Sequence, residues 1–181
     1  MDINRLIEHL RTQWSSPQDA TFRGELIPFK LRCTFNVLGA NNADVERSDT
    51  SLPNDLVHFW STTESARLFE DASFGQWGLE ILAPSMARQV TNEQERARPT
   101  DFVVGDLVIG KFIGDSELLL IRCNPEASDY GSLLVVSPLD PRPDWPTVAD
   151  SLGHFLEQYA LAQGDKYWEF RSLAEASGKS G

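Results

Sequence analysis

The sequence predicts an α+β domain with a central antiparallel sheet flanked by helices. Three observations predict it. Apolar residues recur at helical spacing near both ends of the chain. Between them lie short apolar or alternating segments. Those segments are joined by Gly-Asp and Asn-Pro connections too short to hold crossover helices. Strands that follow one another through short links pair antiparallel, and helices then pack against the sheet they form.

Ile3, Leu6, Ile7, Leu10 and Trp14 make one apolar stripe of a helix. Asp2 suits its N-cap, and Pro17 lies just past its end. Leu26 to Leu38 reads as a half-buried strand. Phe29, Leu31, Cys33, Phe35 and Val37 take one face, and Lys30, Arg32, Thr34 and Asn36 the other. The polar stretch Gly39 to Ser51 reads as a loop. Pro53 opens a short helix, since its missing N–H would be unpaired there anyway, and Asp55 lies near the positive end of the dipole. Leu52, Leu56, Phe59 and Trp60 share a face of this helix, which ends near Thr62 or runs on to Leu68.

Trp77 to Ala83 reads as a strand leading to Pro84. Ser85 to Arg98, anchored only by Met86 and Val90, is either a surface helix or a long loop. Phe102–Phe112, Glu117–Cys123 and Ser132–Ser137 read as three strands of an antiparallel meander. A tight Gly114-Asp115 turn joins the first two. Thr147-x-x-Asp150 looks like a capping box before a last helix, with Val148, Leu152, Phe155, Leu156 and Tyr159 as its stripe and Gly164 at C′. Tyr167, Trp168 and Phe170 tuck back onto the body, and Ala174 to Gly181 is a loose tail. Residues 1–50 therefore supply a helix and strand to the same domain, 51–171 form the main module, and 172–181 are a flexible tail.

A chain of 181 residues can bury roughly 70% of its unfolded surface and needs no disulfide or metal to fold. Its net charge of −11 is uneven: residues 1–50 carry −1 and residues 51–181 carry −10. Such a surface repels phosphate backbones and anionic membranes and attracts basic proteins. Cys33 and Cys123 stand far apart in apolar runs with no C-x-x-C, which reads as two buried thiols in a reducing compartment. The N-terminal helix lacks the apolar core of a signal peptide, and no stretch approaches the roughly 20 apolar residues of a membrane span. The cytoplasm is the expected location.

Catalytic patterns are missing. Gly105 to Phe112 imitates a G-x-x-x-x-G-K phosphate loop, but Phe112 stands where Ser or Thr would hold magnesium, and Leu107-Val108-Ile109 is a strand interior. His9, His58 and His154 fall on three different helices and form no H-x-x-x-H or H-E-x-x-H pair, and there is no G-x-S-x-G elbow. The acids of residues 99–140 include Asp101, Asp106, Asp115, Glu117, Glu126, Asp129 and Asp140, against Lys111 and Arg122. They read as solvated surface, as a partner patch, or as metal or acid–base chemistry. The partner patch names Asp106, Asp115, Glu117, Glu126, Asp129 and Tyr130, with Trp77 either an interface anchor or a core residue.

From Leu52 to Tyr159 the chain resembles the SMI1/KNR4 family of the SUKH superfamily. The resemblance rests on Leu52-Pro-Asn-Asp-Leu-Val-His-Phe-Trp60 and on Gly78-Leu-Glu-Ile-Leu-Ala-Pro84. It continues through Val108-Ile-Gly110, Asp115-x-Glu-Leu-Leu-Leu-Ile121 and Val148-Ala-x-Ser-Leu-x-x-Phe-Leu-x-x-Tyr159. It implies an α+β domain without shared catalytic residues or a cofactor. Many bacterial members look like immunity proteins that bind and neutralise a toxin, often a nuclease or deaminase; fungal relatives act in cell-wall signalling. The expected partner is then a basic toxin protein, engaged without nucleic acid or membrane. The alternative is a non-catalytic scaffold or regulatory adaptor of the same fold.

Overall fold

The computed structural model describes residues 2–36 and 52–169. The expected Gly39–Ser51 loop, Val37, Phe170 and the 172–181 tail lie outside them. Helix α1 (Ile3–Gln13) is capped by Asp2, whose carboxylate accepts the Asn4 N–H at 3.4 Å. Its stripe Ile3, Leu6, Ile7 and Leu10 is fully buried. A two-residue hairpin follows, β1 (Thr21–Phe22) and β2 (Glu25–Leu26), turned by Arg23 and Gly24, both at positive φ.

Seven strands then build one sheet in which every neighbour is antiparallel and the spatial order is the chain order. They are β3 (Leu31–Phe35), β4 (Ala66–Asp71), β5 (Leu79–Ile81), β6 (Asp106–Phe112), β7 (Leu118–Arg122), β8 (Leu133–Val136) and β9 (Thr147–Ala149). Helices α2 (Asn54–Thr62), α3 (Pro84–Ala97) and α4 (Leu152–Leu161) and a 3-10 turn at Arg142–Asp144 complete the described elements. The sheet is central and the helices flank it. The N-terminal segment adds a strand to the same sheet, because β3 pairs with β4 across the chain position where the main module was expected to begin.

Several expectations need correction. The long strand from Leu26 shrinks to Leu31–Phe35, because Pro28 has no ladder donor and Leu26 instead pairs with Thr21 in the hairpin. Helix α2 stops at Thr62. Buried Thr63 holds the stop by donating its hydroxyl to the Asn36 and Ser65 carbonyls, and the chain then enters β4. Within β4, Leu68 and Phe69 are both buried although adjacent. A bulge opposite Cys33 and a φ of 51° at Phe69 turn both inward. Of the two readings open for Ser85 to Arg98 the helix holds, as α3, with Arg98 at its C-cap. The supposed capping box is a strand: Thr147–Ala149 pairs with β8, and Ser151 is the true cap, accepting the His154 N–H at 3.2 Å. Gly164 sits one place further out than expected. Gln163 takes the left-handed position and Gly164 N–H bonds the Tyr159 carbonyl at 2.9 Å.

Both outer edges of the sheet are partly closed. Leu31 exchanges backbone hydrogen bonds with Gln18, and Cys33 N–H bonds the Trp14 carbonyl. At the other edge the Tyr167 hydroxyl donates to the Val148 carbonyl at 2.8 Å. Covered edges blunt strand-to-strand aggregation. Among the described residues no helix is long and apolar enough to cross a membrane.

Candidate functional site

The residues expected to form one acidic patch divide between the two ends of the sheet. Asp106 begins β6 and Asp115 follows its end. Six strand steps of about 3.3 Å put roughly 20 Å between the ends.

At the first end Asp106 is internal, which corrects the expectation that it belongs to a partner patch. Its side chain is fully buried and takes no part in any surface. It accepts Arg122 Nη1, Arg142 Nη1 at 2.5 Å and the Val103 N–H at 2.9 Å. Asp129 joins from the other side, its Oδ2 2.9 Å from Arg122 Nε. Arg142 also donates to Asp101, through its backbone N–H at 3.2 Å and through Nη1 to the carbonyl at 2.9 Å. Arg98 closes the series on Asp101 Oδ2 at 2.9 Å. Acids and bases thus alternate as Asp129, Arg122, Asp106, Arg142, Asp101, Arg98. Burial works against the Arg122 charge, but Asp129 and Asp106 outweigh it and raise its pKa. Glu126 and Tyr130 are exposed near this end, Tyr130 lining a hollow of about 200 Å³ with Asp55 and Asp150.

At the second end the β6–β7 turn presents Asp115 and Glu117. Asp115 Oδ1 accepts the Glu117 N–H at 2.8 Å, fixing the turn. Lys166, arriving after α4, donates Nζ to Asp115 Oδ2 and Glu117 Oε2, both at 2.6 Å, above the Phe112 ring. Burial disfavours the ammonium, yet the two carboxylates together raise its pKa. Trp77 is half-buried here: its indole N–H donates to the Gly164 carbonyl at 3.0 Å and its ring lies 5.2 Å from Phe22. That makes it packing rather than a free anchor.

Beside this turn lies a cleft of about 400 Å³ between α3 and the ends of β6 and β7. Four carboxylates line it, Glu80, Glu93, Asp115 and Glu117, together with Lys111 and the apolar Val90, Phe112 and Leu118. Glu80 pairs in register with Lys111 and lies 3.7 Å from Arg67. Sequence reading had found Asp115 and Glu117 but missed Glu80 and Glu93. Glu80 was legible as the outward residue of Leu79-Glu80-Ile81; Glu93 needed the helical assignment of residues 84–97.

The arrangement suits capture of a cationic side chain, whose stem meets apolar walls and whose head meets carboxylates. Burial pushes the Cys33 and Cys123 thiols up to about 12. Among the described residues no three His, Cys, Asp or Glu side chains are grouped to hold a metal ion. No protein-family model matches the chain, and no curated protein matches it.

Proposed function

We propose that this protein is a non-catalytic binding module of the immunity type, which neutralises a basic toxin by docking it at the acidic cleft between α3 and the β6–β7 turn. One observation carries the reading: four carboxylates line a single open cleft and keep solvent exposure there, even where Lys166 and Arg67 pair them, whereas the Asp106 side chain is wholly inside the fold. The resemblance of Leu52 to Tyr159 to the SUKH superfamily supplies the immunity role. Toxins that attack nucleic acid carry basic grooves, and an acidic cleft competes for the same groove. The preformed cleft keeps the ordering cost of docking low.

The test is co-expression and co-purification with the product of the adjacent reading frame, with toxicity scored alongside. Glu93→Lys, which breaks none of these ion pairs, should slow association by about 3-fold or more at low salt, while dissociation and thermal stability change little. An unaltered association rate removes the cleft from the reading. Failure to form a complex and to protect cells removes the immunity role.

A further inference from the structure

Five consecutive residues after α4 each fasten to another part of the fold. Gln163 Oε1 accepts the Thr21 N–H of β1 at 2.7 Å. The Gly164 carbonyl accepts the indole N–H of Trp77, in the β4–β5 connection, at 3.0 Å. Asp165 accepts Arg23 Nε from the hairpin turn at 3.3 Å. Lys166 holds Asp115 and Glu117 of the β6–β7 turn at 2.6 Å each. The Tyr167 hydroxyl reaches the Val148 carbonyl of β9 at 2.8 Å. Trp168 then anchors in the core, its ring 5.5 Å from Phe112 and 6.0 Å from Phe155. Residues 162–166 belong to no helix or strand; local turns and these ties fix their path. Lys166 is the tie that meets the acidic cleft. Its side chain is 11% exposed, against 35% for Asp115 and 29% for Glu117. The ammonium therefore stands behind the two carboxylates, over the Phe112 ring, and leaves their outer sides open. Two carboxylates that share one ammonium lie close enough to repel, and the ammonium between them offsets that repulsion.

We propose that residues 163–168 are a clasp across one end of the sheet, and that Lys166 is a positioning residue for the cleft. It fixes the β6–β7 turn so that Asp115 and Glu117 present their outer oxygens side by side to a cationic group of the partner. This inference rests on the cleft reading above and names what keeps that site in shape. Burial of the ammonium behind exposed carboxylates favours positioning over competition, because a cation arriving from solvent meets the carboxylates first. Acceptors held in place before the encounter lower the ordering cost of binding. The same clasp ties the turn to the hairpin, so loosening at Gln163 should be felt at residues 113–118.

Lys166→Met keeps an unbranched side chain over Phe112 and removes its charge. Charge alone and positioning then predict opposite signs. The variant is more acidic, so attraction alone would tighten the binding of hexaarginine, whereas a turn that has lost its tie binds it less well. Amide chemical shifts of residues 90–94 and 111–118 follow the binding. Lys30→Met, at an exposed lysine 3.8 Å from Asp19, is the control for net charge. The dissociation constant should rise about threefold or more for Lys166→Met and should not rise for Lys30→Met. Amide exchange of residues 113–118 and 163–167 should speed up together in Lys166→Met, by about tenfold, while β8 stays protected. Gln163→Ala, which cuts the tie to Thr21, should speed the same two segments to a smaller degree. Faster exchange confined to residues 163–167 in both variants would overturn the clasp. Hexaarginine bound by Lys166→Met as tightly as by the parent, or more tightly, would overturn the positioning role. A parent that binds no hexaarginine would remove the cleft reading and the positioning role with it, and the exchange result would still decide the clasp.

Discussion

Replacing Asp106 with Asn isolates the worth of the buried ion network. The amide keeps the shape of the side chain and can still accept the Val103 N–H, but both guanidinium partners lose their counter-charge. Arg122 is the more trapped of the two, its side chain 6% exposed, against 21% for Arg142. Removing one member of a buried pair costs about 3–5 kcal/mol, because the charge left behind is neither solvated nor paired. Asp129 stays on Arg122 Nε and Arg142 can reach water, which places the expectation near the lower end, about 3 kcal/mol. For a chain of this length each kcal/mol moves Tm by about 2–4 °C, so a drop of roughly 6–12 °C follows. Urea unfolding gives the free energy and calorimetry the Tm. Asp140→Asn is the control: Arg98 binds its backbone carbonyl, so the change should stay within about 0.5 kcal/mol. A cycle with Arg142→Gln should show coupling above about 1 kcal/mol. If Asp106→Asn lies within about 1 kcal/mol of the parent, and hydrogen exchange of residues 137–146 is unchanged, the network neither stabilises the fold nor holds the loops.

Folded-state pKa values raised to about 12 at Cys33 and Cys123 mean that the native protein keeps two protons the unfolded chain releases above about pH 9. Their contribution is full below pH 9 and is lost between about 9 and 12, a fall of about 1.4 kcal/mol per pH unit per thiol; urea midpoints flat across that window would contradict the burial. Gly164→Ala should destabilise by about 2–5 kcal/mol, because the new methyl meets Phe69 Cγ at 2.7 Å and the site holds φ at 88°. Gly24→Ala, with φ 81° and open space around it, should cost only about 1 kcal/mol, and equal losses at the two glycines would reject the packing argument.

The helical stripes were legible because burial follows a period of 3.6: Ile3, Leu6, Ile7, Leu10, Phe155, Leu156 and Tyr159 all enter the core. The β6, β7 and β8 cores were legible as apolar runs, which is what strands covered on both faces require. Strand β4 was hidden. Ala66-Arg67-Leu68 suits a helix by propensity, and only pairing between β3 and β5 makes it a strand. Strand β9 is three residues long, too short to interrupt the apparent stripe from Val148 into α4. The ion network was illegible for a geometric reason. Counting outward from the Gly114-Asp115 turn places Asp106 opposite Cys123; the bulge at Ile109 shifts the register by one and brings Arg122 across instead. Arg142 lies 36 residues from Asp106, beyond any local spacing rule.

Net charge therefore describes this surface only after the pairs are removed. Arg98, Arg122 and Arg142 face inward onto carboxylates, Lys166 pairs the cleft's Asp115 and Glu117, and Arg67 lies 3.7 Å from its Glu80, so Glu93 is the cleft carboxylate that stands outside these pairs. The screening length in physiological salt is about 8 Å and grows to about 30 Å near 0.01 M. Glu93→Lys should then slow association of a basic partner at the cleft strongly near 0.01 M salt and only weakly at about 0.15 M. Stopped-flow association at the two salt concentrations makes the comparison. Equal slowing at the two salt concentrations would mean that the charge of Glu93 does not steer the encounter, and that the cleft does not work by electrostatic attraction.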